Sequence, residues 1–362
     1  MRLTSYECDL FCRVVDNYGD IGVCWRLARQ LANEYGWRVR LVVDDLASFA
    51  RLCPMLDACL EQQTIGNVDV AKWSSHIKKS KPAKVVIEAF ACELPPGYVD
   101  AMPGQTRVWL NFEYLSAEAW IEQCHGLPSP QRNGLTKYFF FPGFTQNTGG
   151  LLVERDYETR RRAFTSSSNA RRDLLDRLGV APSAQSVVAL AFCYPSAAFT
   201  QWCEALDAMH SPVTVLVPVA PREIASSPTS RCVQIPFVAQ KYFDDLLWSC
   251  DFAIVRGEDS FVRAQLAGLP FIWHIYPQND DAHLQKLAAF VDHYTQGLDE
   301  QTATAWREAN FAWNTSAFNM DHGRRFLSAL PVLHGHARTW AHRLHNASNL
   351  AERLTQFVTA KL

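Results

Sequence analysis

"CDLFCRVVDNYGDIGVCWRLARQLANEYGWRVRLVVDD", residues 8–45, decides the fold. Its first nine residues are apolar enough for a buried strand. From 21 to 35, Ile21, Cys24, Trp25, Ala28, Leu31, Ala32 and Tyr35 fall at helical spacing. Residues 37–45 form the next strand. Strand, glycine-bearing turn, amphipathic helix and strand make a βαβ unit, so a parallel sheet covered by helices is predicted. Turns of this kind often cradle a phosphate at the helix N-terminus. This one carries Asp16 and Asp20, two negative charges where an anion would sit. Gly19 and Gly22 let the backbone bend sharply and approach closely.

The alternation continues along the chain. Strands are predicted over 68–73, 84–90 and 107–115, and then over 186–194, 212–219, 233–238, 251–255 and 271–276. Between the two sets lies a charged stretch, 154–177, with "TSSSN" at its centre. It reads as an interdomain crossing, and the run Arg160, Arg161 and Arg162 reads as a solvated face. At the C-terminus, Trp340, Leu344, Leu350, Leu354 and Phe357 share one helical face, so a single helix over about 337–358 is predicted. The expected organisation is a first domain over 1–160, a linker over 161–180, a second domain over 181–344, and a segment 345–362 returning to the first. Both domains are α/β and doubly wound. Ligands in such sheets bind at the carboxyl ends of strands, here expected in the cleft between domains.

Bulk composition agrees. A chain of 362 residues exceeds what one hydrophobic core usually supports. A net charge of −2 argues against a general nucleic-acid binder. No apolar run is long enough to span a bilayer, and the opening residues lack a signal-peptide pattern. Eleven cysteines with no CxxC pair read as reduced thiols of a cytoplasmic protein, and no zinc site is expected. His334, His336, His342 and His345 cluster near the C-terminus, but no cysteine or carboxylate completes a metal set.

The second informative stretch is "CDFAIVRGEDSFVRAQLAGLPFIWHIYPQNDDAH", residues 250–283. A strand runs into "RGEDS", a short helix follows, and Gly268 and Pro270 end it. Ser260 is the expected N-cap and Gly268 a left-handed C-cap. The helix N-terminus offers free N–H groups to an anion, and Arg256 adds a fixed guanidinium fork for a diphosphate. The side chains of Glu258 and Asp259 suit sugar hydroxyls, while their N–H groups face the phosphate. Phe192 and Tyr194 end one strand, and Phe237, Gln240 and Phe243 follow another. Aromatic faces with one amide suit a planar base.

Taken with "VVDNYGDIGVCWRLARQL", "WLNFEYLSAEAW", "HGLPS", "KYFFFPGF" and "TGGLL", these stretches resemble the bacterial elongation factor P arginine rhamnosyltransferases, of the GT-B glycosyltransferase fold. The resemblance spreads over most of the chain. It implies dTDP-β-L-rhamnose as donor, an arginine of translation elongation factor P as acceptor, inversion at the anomeric carbon, and no metal or cofactor. By motif position it makes Asp16 and Asp20 the catalytic carboxylates. It places Phe192, Tyr194, Phe237, Gln240 and Phe243 around thymidine, and Arg256, Glu258, Asp259, Ser260 and Tyr276 around the diphosphate and sugar. Asn17 and Tyr18 of the first turn, with Glu113 and Tyr114 beyond a strand end, are candidates for the acceptor side. For Glu113 and Tyr114, sheet-edge packing is the competing reading.

Two rivals stand beside this one. Asp44 and Asp45, about 20 residues beyond the glycine turn, mimic a nicotinamide-dinucleotide fingerprint. "NYGDIG" lacks the GxGxxG spacing, however, and its aspartates oppose a pyrophosphate. The other rival is a non-catalytic, sugar-nucleotide-responsive protein that only docks on a translation factor.

Overall fold

The computed structural model describes residues 6–16, 18–74, 77, 80–183, 185–196, 198–207, 209, 211–218 and 230–362. Contacts divide the chain into two compact units, Met1–Arg155 with Ala347–Leu362, and Asp156–Asn346.

The first unit is built on eight strands: β1 (Glu7–Cys12), β2 (Arg38–Val43), β3 (Gln62–Ile65), β4 (Val68–Lys72), β5 (Val85–Ala89), β6 (Val108–Phe112), β7 (Pro128–Pro130) and β8 (Thr136–Phe140). Their order is β3-β4-β2-β1-β5-β6-β8-β7, with the six inner strands parallel and β3 and β7 antiparallel at the edges. Every residue of β5 and β6 is buried, as a parallel sheet covered on both faces requires. The helix Gly19–Tyr35 buries all seven of the periodic residues named above and ends on left-handed Gly36. It is also buried on its other side. Gln30 Nε2 donates to the Val153 carbonyl at 2.7 Å, and Arg26 pairs with Glu154 at 2.6 Å.

The C-terminal segment explains that burial. The predicted single helix is two, Met320–His345 and Leu350–Lys361. Asn349 caps the second by accepting from the N–H groups of Ala351 and Glu352, and Leu350 N–H donates to the Leu151 carbonyl at 2.8 Å. The periodicity persists through the break, but the two helices belong to different units.

The second unit holds β9 (Val187–Ala191), β10 (Val213–Val217), β11 (Ser230–Gln234), β12 (Phe252–Arg256) and β13 (Phe271–His274), all parallel in the order β11-β10-β9-β12-β13. The outer edge of β13 is sealed by the helix Glu300–Asn314. Asn310 accepts from Trp273 N–H at 2.8 Å, and Asn314 accepts from Ile275 N–H at 3.0 Å while donating to the Trp273 carbonyl. This fixes the strand end that carries His274 and Tyr276.

Residues 161–180, read from the sequence as a linker, contain most of the helix Tyr157–Ser166 and all of Ala170–Arg177, within the second unit. The arginine run is not simply solvated either. Arg161 and Arg162 pair with Glu158, but Arg160 turns inward to Asp244 at 3.3 Å and lies against the rings of Tyr157 and Trp248.

Candidate functional site

In the first unit the turn between β1 and its helix is organised around Asp20, whose residue is 2% exposed. One carboxylate oxygen accepts from the backbone N–H groups of Val15 at 2.8 Å and Asp16 at 2.9 Å. The other accepts from the Tyr114 hydroxyl at 3.1 Å. Burial pushes the Asp20 carboxyl above its ordinary value, and the nearby Asp44 adds to this. The three hydrogen bonds oppose the shift. Asp44 also accepts from Val14 N–H at 2.9 Å, tying the turn to the end of β2.

Asp16 is buried beside Asp20, at 7% exposure. Gly19 does not serve the turn through a left-handed φ; it serves by lacking a side chain, because a Cβ there would run into the Asp16 carboxylate. Gly19→Ala is therefore expected to force Asp16 aside and to cost roughly 1–3 kcal/mol, the usual penalty of overpacking. Thermal unfolding of the variant measures it, and an unchanged midpoint would show that Asp16 yields freely.

Of the acceptor-side candidates, Tyr18 occupies the N-cap position of the helix, with the Arg51 guanidinium over its ring at 5.6 Å. Asn17 lies outside the described residues. The edge-packing reading of Glu113 and Tyr114 is overturned, because β6 runs in the sheet interior between β5 and β8. Glu113 accepts from Asn111 Nδ2 and donates its N–H to the Phe140 carbonyl at 2.9 Å. Tyr114 bonds Asp20 and stacks on Phe90 at 4.2 Å with an interplanar angle of 14°. Phe90 had no sequence signal. It begins a segment in which Phe90, Ala91 and Glu93 all have φ between 52° and 57° without glycine. Such backbone costs of order 1–3 kcal/mol per residue and concentrates at functional sites. Asn111 Oδ1 and Glu88 Oε1 hold it by accepting from the N–H groups of Ala91 and Glu93.

In the second unit the strand ends of β9, β12 and β13 bring most of the predicted donor residues together. Phe192 packs against Phe237 and Phe243, with ring centroids 6.3 and 5.6 Å apart. The Arg256 guanidinium lies over Phe192 at 4.6 Å and Tyr194 at 4.8 Å. Tyr276 stands 5.8 Å from Tyr194, partly exposed. Gln240 Nε2 donates to Asp259 Oδ2 at 3.0 Å, linking the N-termini of helices Gln240–Trp248 and Asp259–Ala267.

Ser260 is not the N-cap. Glu258 holds that position, and Ser260 lies inside the first turn, where its hydroxyl accepts from Arg256 N–H at 3.1 Å and donates to the Arg256 carbonyl. Its role is to lock Arg256's backbone to the helix. Gly268 is the left-handed C-cap expected, at φ 72° and ψ 32°.

His274 was not singled out from the sequence. It is Arg256's register partner across β12 and β13, 7% exposed, with its ring 5.0 Å from Tyr194. Burial, reinforced by the charge of Arg256 and by His283, pushes it down to about 4.

No group of three or more His, Cys, Asp or Glu among the described residues is arranged to hold a metal ion. His336 and His345 each spend a ring nitrogen on a backbone carbonyl, of Tyr294 and Leu266 respectively. No helix among the described residues is long and apolar enough to cross a membrane.

Comparison with known proteins follows the same lines. Residues 8–359 match the family described as Elongation-Factor P (EF-P) rhamnosyltransferase EarP. The chain is 47% identical to a protein-arginine rhamnosyltransferase of Pseudomonas putida, over 96% of this chain and 97% of that protein. It is 44% identical to one of Pseudomonas aeruginosa, over 96% and 98%. A solved structure giving the structural basis for EarP-mediated arginine glycosylation of translation elongation factor EF-P superposes with a TM-score of 0.70. That match is 33% identical and covers 99% of this chain and 100% of that one. A UDP complex of TcCGT1, 12% identical, superposes with a TM-score of 0.55 and speaks to the fold alone. The fold is the GT-B glycosyltransferase fold, with two Rossmann-like units. The chain belongs to the EF-P rhamnosyltransferase family EarP.

Proposed function

We propose that this protein transfers L-rhamnose from dTDP-β-L-rhamnose to an arginine side chain of translation elongation factor P, inverting the anomeric carbon, without a metal or cofactor. The observation that carries this reading is the buried pair Asp16 and Asp20 at a turn that would otherwise suit an anion. Carboxylates there suit a guanidinium, which is always charged and pairs bidentately with them.

Magnitudes restrict the mechanism. An aspartate near pKa ~3.9 cannot strip a proton from free arginine near ~12.5, since that gap costs about 12 kcal/mol. Asp20 therefore orients the guanidinium and takes its proton as the new N–C bond forms, because bonding to the anomeric carbon makes that nitrogen more acidic. The C–O bond to the diphosphate breaks in the same displacement, and dTDP leaves. The raised Asp20 carboxyl narrows the gap. Asp16 grips a second nitrogen.

On the donor side, Phe192, Tyr194, Phe237, Gln240 and Phe243 hold thymidine. Arg256 and the N-terminus of helix Asp259–Ala267 meet the leaving diphosphate, supplying the positive charge that a metal provides in other transferases. Glu258, Asp259 and Tyr276 bind sugar hydroxyls, and Ser260 keeps Arg256 in register. Tyr18, Glu113, Tyr114 and Asn17 belong to the acceptor side. Translation elongation factor P is the protein partner, with no role for nucleic acid or membrane. A cytoplasmic location fits that partner and the eleven free cysteines.

Intact-mass spectrometry tests the reading. Elongation factor P incubated with this protein and dTDP-rhamnose is expected to gain one deoxyhexosyl mass on arginine. An unmodified factor that still forms a complex would leave only a docking role, and stabilisation by NADH in place of dTDP-rhamnose would favour a dehydrogenase.

A further inference from the structure

We propose that His274 is a second ligand of the donor's diphosphate, binding a phosphate oxygen through Nδ1 beside Arg256. The proposal rests on the reading that the donor is a nucleoside diphosphate sugar.

Three observations support it. First, His274 and Arg256 are direct neighbours on parallel strands, at the carboxyl ends where such sheets bind ligands. Both lie against Tyr194, whose ring is 5.0 Å from the imidazole and 4.8 Å from the guanidinium carbon. Second, His274 is more than nine-tenths buried, and its Nδ1 has no hydrogen-bond partner among the described residues. A buried polar atom left so is costly, which favours a ligand that completes it. Third, the strand end is held rigidly. Asn310 and Asn314 bond the backbone on either side of His274, at Trp273 and Ile275, so the ring cannot turn away by a shift of β13.

Charge decides which ligand atom suits it. The imidazole is neutral at physiological pH and faces the fixed cation of Arg256, with His283 as the other titratable neighbour. A neutral ring can donate one N–H and needs no counter-charge. A phosphate oxygen already drawn in by Arg256 is the matching acceptor. Arg256 then supplies the charge and His274 the direction.

Calorimetric titration of the full chain with dTDP and with dTDP-rhamnose tests this without any acceptor. His274→Phe is expected to weaken both ligands by about 10- to 100-fold, the span of one hydrogen bond to a charged group. His274→Gln, which keeps a donor, should recover part of the loss. In the unaltered protein labelled with nitrogen-15, the His274 Nδ1 resonance should move on saturation with dTDP and stay put with thymidine. That measurement stands even where His274→Phe fails to fold. His274→Phe binding dTDP within twofold of the parent, a loss confined to dTDP-rhamnose, or an unmoved Nδ1 resonance would each overturn the proposal. An unaltered protein that binds neither ligand would instead remove the donor assignment, and this inference with it.

Discussion

Asp20→Ala is expected to lower rhamnosyl transfer roughly 100- to 10,000-fold, the usual worth of a positioned proton acceptor, while dTDP-rhamnose still binds. The two effects separate because Asp20 belongs to the first unit and the proposed donor residues to the second. Asp20→Asn sharpens the test. An amide oxygen can still accept from the N–H groups of Val15 and Asp16, so the turn survives while proton acceptance does not. The pH profile follows from the same environment. As the proposed proton acceptor Asp20 must be ionised, and burial raises its carboxyl, so turnover is expected to be lost as pH falls through a value above that of an ordinary aspartate. The Tyr114 hydroxyl pulls the other way, so Tyr114→Phe should move the acid limb to higher pH. Near-parental turnover in Asp20→Asn, or an acid limb unmoved in Tyr114→Phe, would take Asp20 out of the mechanism.

Asp244→Ala is expected to destabilise the second unit by about 3–5 kcal/mol. Arg263 is fully buried at 0% exposure and makes a two-pronged pair with Asp244, at 2.7 and 2.6 Å, over the face of Tyr157. Arg160 reaches the same carboxylate. Removing Asp244 takes away the carboxylate that balances a fully buried guanidinium, and that guanidinium cannot lose its charge. For a unit of this size the unfolding midpoint should fall by roughly 6–20 °C. The double variant Asp244→Leu with Arg263→Met should recover most of that, since an apolar pair of similar volume leaves no buried charge unbalanced, and the half-buried Arg160 keeps its pair with Asp156 at 3.1 Å. A fall of only a degree or two in Asp244→Ala would mean that the site hydrates. If Gln240 and Asp259 hold the donor as proposed, donor affinity should fall with stability, because the pair joins the helices that carry them.

The legible parts of the fold were those whose physics is local. β5, β6, β9, β10 and β12 are apolar runs with at most one polar residue each, and β1 is apolar apart from Glu7 and Asp9, because these strands are covered on both faces, and such runs stand out in a sequence. β3, "QQTI", and β7, "PSP", are short, polar and antiparallel. They are strands only because β4 and β8 offer them an edge, and nothing in their own residues says so. The break before Leu350 was hidden because the apolar spacing runs through it, although Asn349 is a good cap. The site divides in the same way. Asp16, Asp20 and Arg256 sit at or beside a junction between a strand and a helix, where residue type signals chemistry. Ser260 misled because a serine beside a helix start looks like a cap, while here its hydroxyl is spent on Arg256. Tyr114 reaches Asp20 across 94 residues, Phe90 adopts a backbone normally left to glycine, and His274 matters through its register with Arg256. Only the folded chain reveals pairings of that kind.

The division of the chain also bears on biosynthesis. Residues 1–155 form a unit that is closed by residues 347–362, which lie beyond the whole of the second unit in the chain. Gln30 and Leu151 find partners in Asn349 and Leu350, and the helix after them covers the flank of the helix that bears Asp20. A ribosome therefore makes the helix that bears Asp20 well before the helix that packs on it. The first unit waits, incomplete, until the second unit and residues 347–362 have been translated.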